Sequence, residues 1–182
     1  MGNLSPTLFL LPSFALILVI VLYFSFLRKS SSKGDFKRFS FLALTLAFFL
    51  NFAWELTQGP LYKDFIFGYE HIAFCALASV ADAIMTLLLY YISAFIFKKR
   101  TLIKNLTFQE IILIILGGGI SAILVEIWHV SKGHWAYANS MPLIPIIGAG
   151  LLPVLQFTIL PVLVYYINIY ICQKSFKVRL NQ

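Results

Sequence analysis

Residues 71–97 read HIAFCALASVADAIMTLLLYYISAFIF, and Lys98-Lys99-Arg100 follow directly. Asp82 is the one carboxylate in that run, which exceeds the roughly 20 apolar residues a helix needs to cross the hydrocarbon core of a bilayer. The pattern recurs along the chain. Comparable runs occupy residues 7–27, 39–58, 106–128 and 143–172. The whole chain of 182 residues is 60% hydrophobic and 12% charged, where soluble domains have roughly 45–50% and about 25%. A soluble domain is excluded. The reading is all-α: one transmembrane domain over residues 1–182, an integral membrane bundle of five transmembrane helices.

The loops between the runs orient it. Arg28, Lys29, Lys33, Lys37 and Arg38 lie between the first two runs, Lys98, Lys99, Arg100 and Lys104 between the third and fourth, and Lys174, Lys177 and Arg179 in the tail. The other two basic residues, Lys63 and Lys132, fall one in each remaining loop. Basic residues favour the cytoplasmic side, so the N-terminus is expected outside and the C-terminus in the cytoplasm. The net charge of +7 is then a topology signal and not a nucleic-acid surface. The first run lacks a basic start and a small-residue cleavage site before Arg28, so it is read as a retained span. Pro142, Pro145, Pro153 and Pro161 predict an irregular entrance to the fifth run and a kinked body. Cys75 and Cys172, both in apolar stretches, exclude a disulfide scaffold.

Asp35, Asp64, Glu70 and Glu110 lie in loops or near span ends, where water or headgroups can solvate them. Glu55, Asp82 and Glu126 do not. A carboxylate at the bilayer centre costs on the order of 3 kcal/mol, so these three are expected to face the bundle interior and to act there. Asn51, Glu55 and Gln58 are spaced i, i+4 and i+7, giving one helical face an amide, a carboxyl and a second amide, with Trp54 beside it. The plain alternative is polar fraying at a helix end before Pro60. Asp82 falls about 16 Å from His71 along a helix, near mid-membrane; His71 itself is read as solvated at the boundary. Gln156 lies between Pro153 and Pro161 at a similar depth, and Asp82 is its expected partner.

In the fourth run Gly117-Gly118-Gly119 allow close approach of a helix or ligand, and Glu126, Trp128 and His129 follow. Glu126 and His129 share the i, i+3 spacing of carboxylate di-metal bundles, but those need two such pairs; no metal and no cofactor is expected. A charged cap at the membrane boundary would explain the pair equally. The next loop carries Trp135 and Tyr137, ordinary as belt aromatics, which beside Glu55 and Glu126 could line a pocket. No phosphate-binding loop, nucleophile elbow, zinc-protease or Cys-x-x-Cys motif occurs.

Three patches go together: Asn51-x-x-Trp54-Glu55-x-x-Gln58-x-Pro60-Leu61-Tyr62, Ala78-Ser-Val-Ala-Asp82, and Gly133-x-Trp135-x-Tyr137-x-x-x-Met141-Pro142-x-x-Pro145 leading to Pro153-x-x-Gln156. The set resembles a family of small bacterial polytopic membrane proteins, which implies the bacterial inner membrane. Asn51-x-x-Trp54-Glu55 is also similar to a patch of the membrane-integral terpene cyclases of fungal meroterpenoid pathways. There an intramembrane acid starts cyclisation by protonation. The Gly133-x-Trp135-x-Tyr137 loop leading to Pro153 is similar to membrane-integral lycopene cyclases, in which a Glu-Glu pair follows the proline; here Val154-Leu155-Gln156 stands in that place.

Three function classes follow. The first is an enzyme that cyclises or isomerises a lipid-soluble, terpenoid (isoprenoid) substrate by acid initiation. Such chemistry needs a desolvated carboxylic acid and aromatic faces for a carbocation. Glu55, Asp82 and Glu126 are the candidate catalytic residues. Asn51, Trp54, Gln58, Trp128, His129, Trp135, Tyr137 and Gln156 are the candidate substrate-binding residues. The second class is a small proton-coupled carrier using the same carboxyls, and the third a non-catalytic membrane subunit. The expected partners are membrane lipids and a hydrophobic small-molecule ligand, with a homo-oligomer compatible and no nucleic acid.

Overall fold

Each apolar run becomes a helix, and local chemistry decides where each begins and stops. The computed structural model describes residues 6–98 and 105–180, with side chains described as far as Lys174. Lys99, Arg100 and Lys104 of the basic loops lie outside the described residues, as do the side chains of Lys177 and Arg179. The helices are α1 (Leu10–Lys29, entered through a 3-10 turn at Pro6–Phe9), α2 (Lys33–Gln58), α3 (Tyr69–Ile96), α4 (Phe108–Ser131) and α5 (Leu151–Leu180). All five are long and apolar enough to cross a membrane.

Helix α2 starts six residues before its apolar run. Ser32 caps it, its hydroxyl accepting from the Asp35 N–H and donating to the Asp35 carboxylate at 2.8 Å, so the basic residues Lys33, Lys37 and Arg38 ride on the first turns. Its other end stops in a 3-10 turn, Gly59–Leu61, where Pro60 cannot continue the ladder. Helix α4 opens with a capping box. The Glu110 carboxylate accepts from the Thr107 backbone N–H at 2.7 Å and hydroxyl at 2.8 Å. Glu110, grouped in the sequence with the solvated acids, is therefore buried instead, 1% exposed.

The fifth run departs most from its expected bounds. Residues 143–150 form a tight loop, not helix, closed by Leu151 N–H to the Pro142 carbonyl and an isolated bridge between Leu143 and Gly150. Pro153 then falls in the first turn of α5, where a missing N–H costs nothing, and Pro161 falls inside the helix. Proline at 161 leaves the Phe157 carbonyl without its helical donor. Gly118 of α4 packs against that carbonyl, so closely that a Cβ at 118 would come within 2.1 Å of its oxygen. A proline on one helix and a glycine on the next thus make one close crossing.

Helix α3 packs on α2, α2 on α5, α5 on α4, and α1 rests mainly on α3. The end of the bundle nearest the basic loops is solid. There Tyr90 packs between Phe39 and Tyr165 at ring-centre distances of 4.9 and 4.7 Å. Tyr91 donates to the Ser40 hydroxyl at 2.7 Å, the Asn168 amide donates to the Phe39 carbonyl at 3.0 Å, and the Tyr165 hydroxyl donates to the Thr86 carbonyl. The opposite end, built from the α2–α3 and α4–α5 connections, is hollow.

Adjacent glycines give a test of the α4–α5 crossing. Gly118→Ala should destabilise the protein by about 1–3 kcal/mol, because Phe157 is backbone and cannot step aside. Gly117→Ala, whose Cβ would meet Leu89 at an ordinary 3.4 Å, should be neutral or slightly stabilising. Melting temperatures of the two variants in detergent decide it, and equal losses would contradict the crossing.

Candidate functional site

The α2 face read from the sequence turns inward and meets two other helices. Asn51 and Gln58 are buried, and Glu55 lies between them. Gln156 reaches across from α5, 1% exposed. Its amide nitrogen lies 2.9 Å from Asn51 Oδ1, 3.1 Å from Glu55 Oε1 and 3.1 Å from Asp82 Oδ2, as donor to all three. The Gln58 amide donates to Glu55 Oε1 at 2.8 Å and to Gln156 Oε1 at 3.3 Å, while the Asn51 amide donates back to the Ala47 carbonyl at 2.8 Å. Glu55 and Asp82 are thus brought to one shared donor, and they interact electrostatically.

Glu126 anchors a second group. It is 6% exposed on α4, and its Oε2 accepts from the Tyr137 hydroxyl and from the Trp135 indole N–H at 3.3 Å. Tyr137 in turn accepts the Gly150 N–H at 2.9 Å. His129 stacks on Trp135 with ring centres 4.3 Å apart, and its Nδ1 lies 2.7 Å from Nδ1 of His134. His134 Nε2 lies 2.8 Å from the Thr7 hydroxyl, which ties the start of the first helix to the α4–α5 loop.

The two connections are stitched together. Lys63 N–H donates to the Ala136 carbonyl at 2.8 Å and Ala138 N–H to the Leu61 carbonyl at 2.9 Å, flanking an isolated bridge between Tyr62 and Tyr137. The Tyr62 ring packs against Trp135 and Tyr137 with centres 6.4 and 5.8 Å away. Tyr62 feels Glu126, Glu55 and Asp82 together. Burial and those negative neighbours push its phenol well above the ordinary value, and burial and Glu126 do the same for Tyr137. Both therefore remain hydrogen-bond donors at neutral pH.

A cavity of about 780 Å³ lies among α1, α3 and α4 and is lined by Glu55, Asp82 and Glu126 together. Gln58, His129, Trp135 and Gln156 also form its wall. Four other candidates stand elsewhere. Asn51 is behind the wall as a partner of Gln156, and Tyr137 is behind it as a partner of Glu126. Trp54 does not line the cavity, and its indole nitrogen is buried without a hydrogen-bond partner. Trp128 faces outward, 37% exposed, with the Lys132 ammonium 5.1 Å from its ring centre. Its i+2 offset from Glu126 puts it on another face of α4.

Several lining residues escaped the sequence reading. Tyr62 and His134 sit in loops, where no periodicity points to a face; only the fixed spacing after Pro60 and before Trp135 hints at them. His71, read as solvated, lines the cavity with Nε2 at 3.3 Å from the Cys75 sulfur and its ring 4.7 Å from Phe65. Among the described residues no three His, Cys, Asp or Glu side chains gather as a bound metal ion would require.

The fold and site thus define a five-helix bundle with a pair of carboxyls, held by one glutamine, facing an apolar cavity. Comparison with protein-family models, curated proteins and solved structures finds no match for this chain.

Gln156→Leu removes the donor that three acceptors share, so it should cost about 1–3 kcal/mol of stability. Gln173→Leu, which removes an exposed amide contact to Asn105, should cost under about 0.5 kcal/mol. Thermal unfolding of both variants checks the contrast, and a tolerant site at 156 would refute the role given to its amide.

Proposed function

We propose that this chain is an integral protein of the bacterial inner membrane, its N-terminus outside and its C-terminus cytoplasmic, and an enzyme acting on a lipid-soluble substrate. The reaction is cyclisation or isomerisation of an isoprenoid-type alkene or epoxide, begun by proton transfer from the Glu55–Asp82 pair. The observation that carries this reading is the pairing itself: two carboxyls that accept from one Gln156 amide, Glu55 also from Gln58, at the wall of an apolar cavity.

The chemistry follows from the parts. A proton carried by one of the two carboxyls moves to an alkene carbon or epoxide oxygen, leaving that carboxyl as a carboxylate and the substrate as a carbocation. The cation lies among the faces of Tyr62, Phe65, Phe74 and Trp135, which are attractive to positive charge. Loss of a proton from a neighbouring carbon back to the carboxylate forms the new double bond and restores the pair. Gln156, donating to both carboxyls, keeps them in place through the cycle. The distal similarity of Asn51-x-x-Trp54-Glu55 to membrane-integral terpene cyclases supports the same assignment.

A carrier would need a water path at both ends of the bundle. The packed Phe39, Tyr90, Tyr91 and Tyr165 at the basic end argue against one. A purely structural subunit would have no use for a cavity of this size, which falls within the roughly 300–1,000 Å³ typical of ligand sites.

Solvent deuterium reads this chemistry without a known substrate. Protein incubated in D2O with lipid extract from its host should place deuterium on carbon in one lipid species, detected by mass spectrometry. Glu55→Gln should abolish the label while leaving the melting temperature near wild type, whereas Asp82→Asn should lower both. An epoxide substrate takes the deuteron on exchangeable oxygen and shows instead as an epoxide converted to an isomeric alcohol. Neither carbon-bound label nor epoxide loss with the wild-type chain would end the acid-initiated reading. The orientation has its own check: a reporter fused after Gln182 should be active only in its cytoplasmic form.

A further inference from the structure

The polar and apolar parts of the cavity wall are separated. On α3 the wall runs from His71 to Leu88, about 25 Å of helix at 1.5 Å per residue. Glu55, Gln58, Tyr62, Asp82, Glu126 and Gln156 lie at or beyond the level of Asp82, towards the connection-built end. From Asp82 inward the wall is Ile84, Met85 and Leu88 with Leu16 and Leu18 of α1, an apolar arm about 9 Å long at the same rise.

The polar part holds an unmet acceptor. The Gln156 amide hydrogens are already divided among Asn51, Glu55 and Asp82, and those of Gln58 between Glu55 and Gln156. Gln58, 4% exposed, keeps its Oε1 buried with no hydrogen-bond partner. An orphaned buried acceptor costs stability until a donor reaches it. The same region gathers carboxyls. Glu55, Asp82 and Glu126 act on one another electrostatically, and Lys63, exposed, is the one lysine or arginine among the lining residues.

We propose that the cavity takes a single-chain amphiphile with an uncharged, hydrogen-bond-donating head, a hydroxyl, set against Gln58 and the Glu55–Asp82 pair with its chain in the arm between α1 and α3. A phosphate or carboxylate head is excluded by charge, and a headless hydrocarbon leaves Gln58 unsatisfied. The inference rests on the reading of the cavity as the substrate site and adds the chemistry of the substrate's polar end. An alcohol-ended chain is then what a preceding hydrolysis or reduction in the membrane must supply.

Three probes of one chain length separate the cases: decanol, decanoate and decane, each titrated at pH 8 into the purified full chain while tryptophan fluorescence and melting temperature are followed. Decanol should bind saturably and at least about tenfold more tightly than either of the others. Gln58→Leu should bring decanol down to the affinity of decane while leaving decane unchanged. Where that variant does not fold, Glu126→Gln serves instead and should raise decanoate affinity by about tenfold. Decanoate binding as tightly as decanol would overturn the uncharged head, and decane doing so would overturn the need for a donor. Binding is read without turnover, so a failed deuterium experiment would remove the acid-initiated reaction and leave this specificity standing.

Discussion

One carboxamide joins three helices. The two N–H bonds of Gln156, on α5, are shared among Asn51 and Glu55 of α2 and Asp82 of α3. In a low-dielectric interior such a group is costly when unpaired and directional when paired, so it fixes the register of the helices that meet it. Everything polar at the hollow end is arranged around that point. Gln58 completes the shell on Glu55, and the Glu55–Asp82 contact exists because Gln156 holds both carboxyls to one side.

The bundle divides its labour along its length. At the basic end, tyrosines and Phe39 interlock, with each buried hydroxyl of Tyr91 and Tyr165 given a partner. At the other end, the α2–α3 and α4–α5 connections are paired with each other through Tyr62 and Tyr137, and Thr7 is tied to His134. These ties hold open what apolar packing alone would collapse. Helix α1 is the least buried of the five and rests chiefly on α3, so the wall between cavity and lipid is also the most loosely held element.

The helical architecture was legible because length and hydropathy alone decide it: 20 or more apolar residues have few other stable arrangements in lipid. The stripe Asn51, Glu55, Gln58 was legible for the same kind of reason, since a 3.6-residue period projects all three to one face, and the matched depths of Asp82 and Gln156 foretold their contact. Loops carry no period. Tyr62 is placed by backbone pairing between segments about 75 residues apart, and His134 by its ring contacts to His129 and Thr7, neither of which spacing can reveal. Trp128 and Trp135 look alike as belt aromatics, yet only Trp135 is turned inward, by its stack on His129 and its bond to Glu126. Glu110 was misread because a capping box can bury a carboxylate at a helix start. The late start of α5 reflects prolines at 142 and 145, which favour a closed turn over a continuous run.

The most direct measurement is an experimental structure of the full chain purified from its native membrane into lipid nanodiscs. The account requires elongated density in the cavity between α1 and α3, one end within hydrogen-bond distance of Gln58 or of the Glu55–Asp82 pair. A collapsed cavity, or Glu55 and Asp82 separated and turned towards lipid, would contradict it.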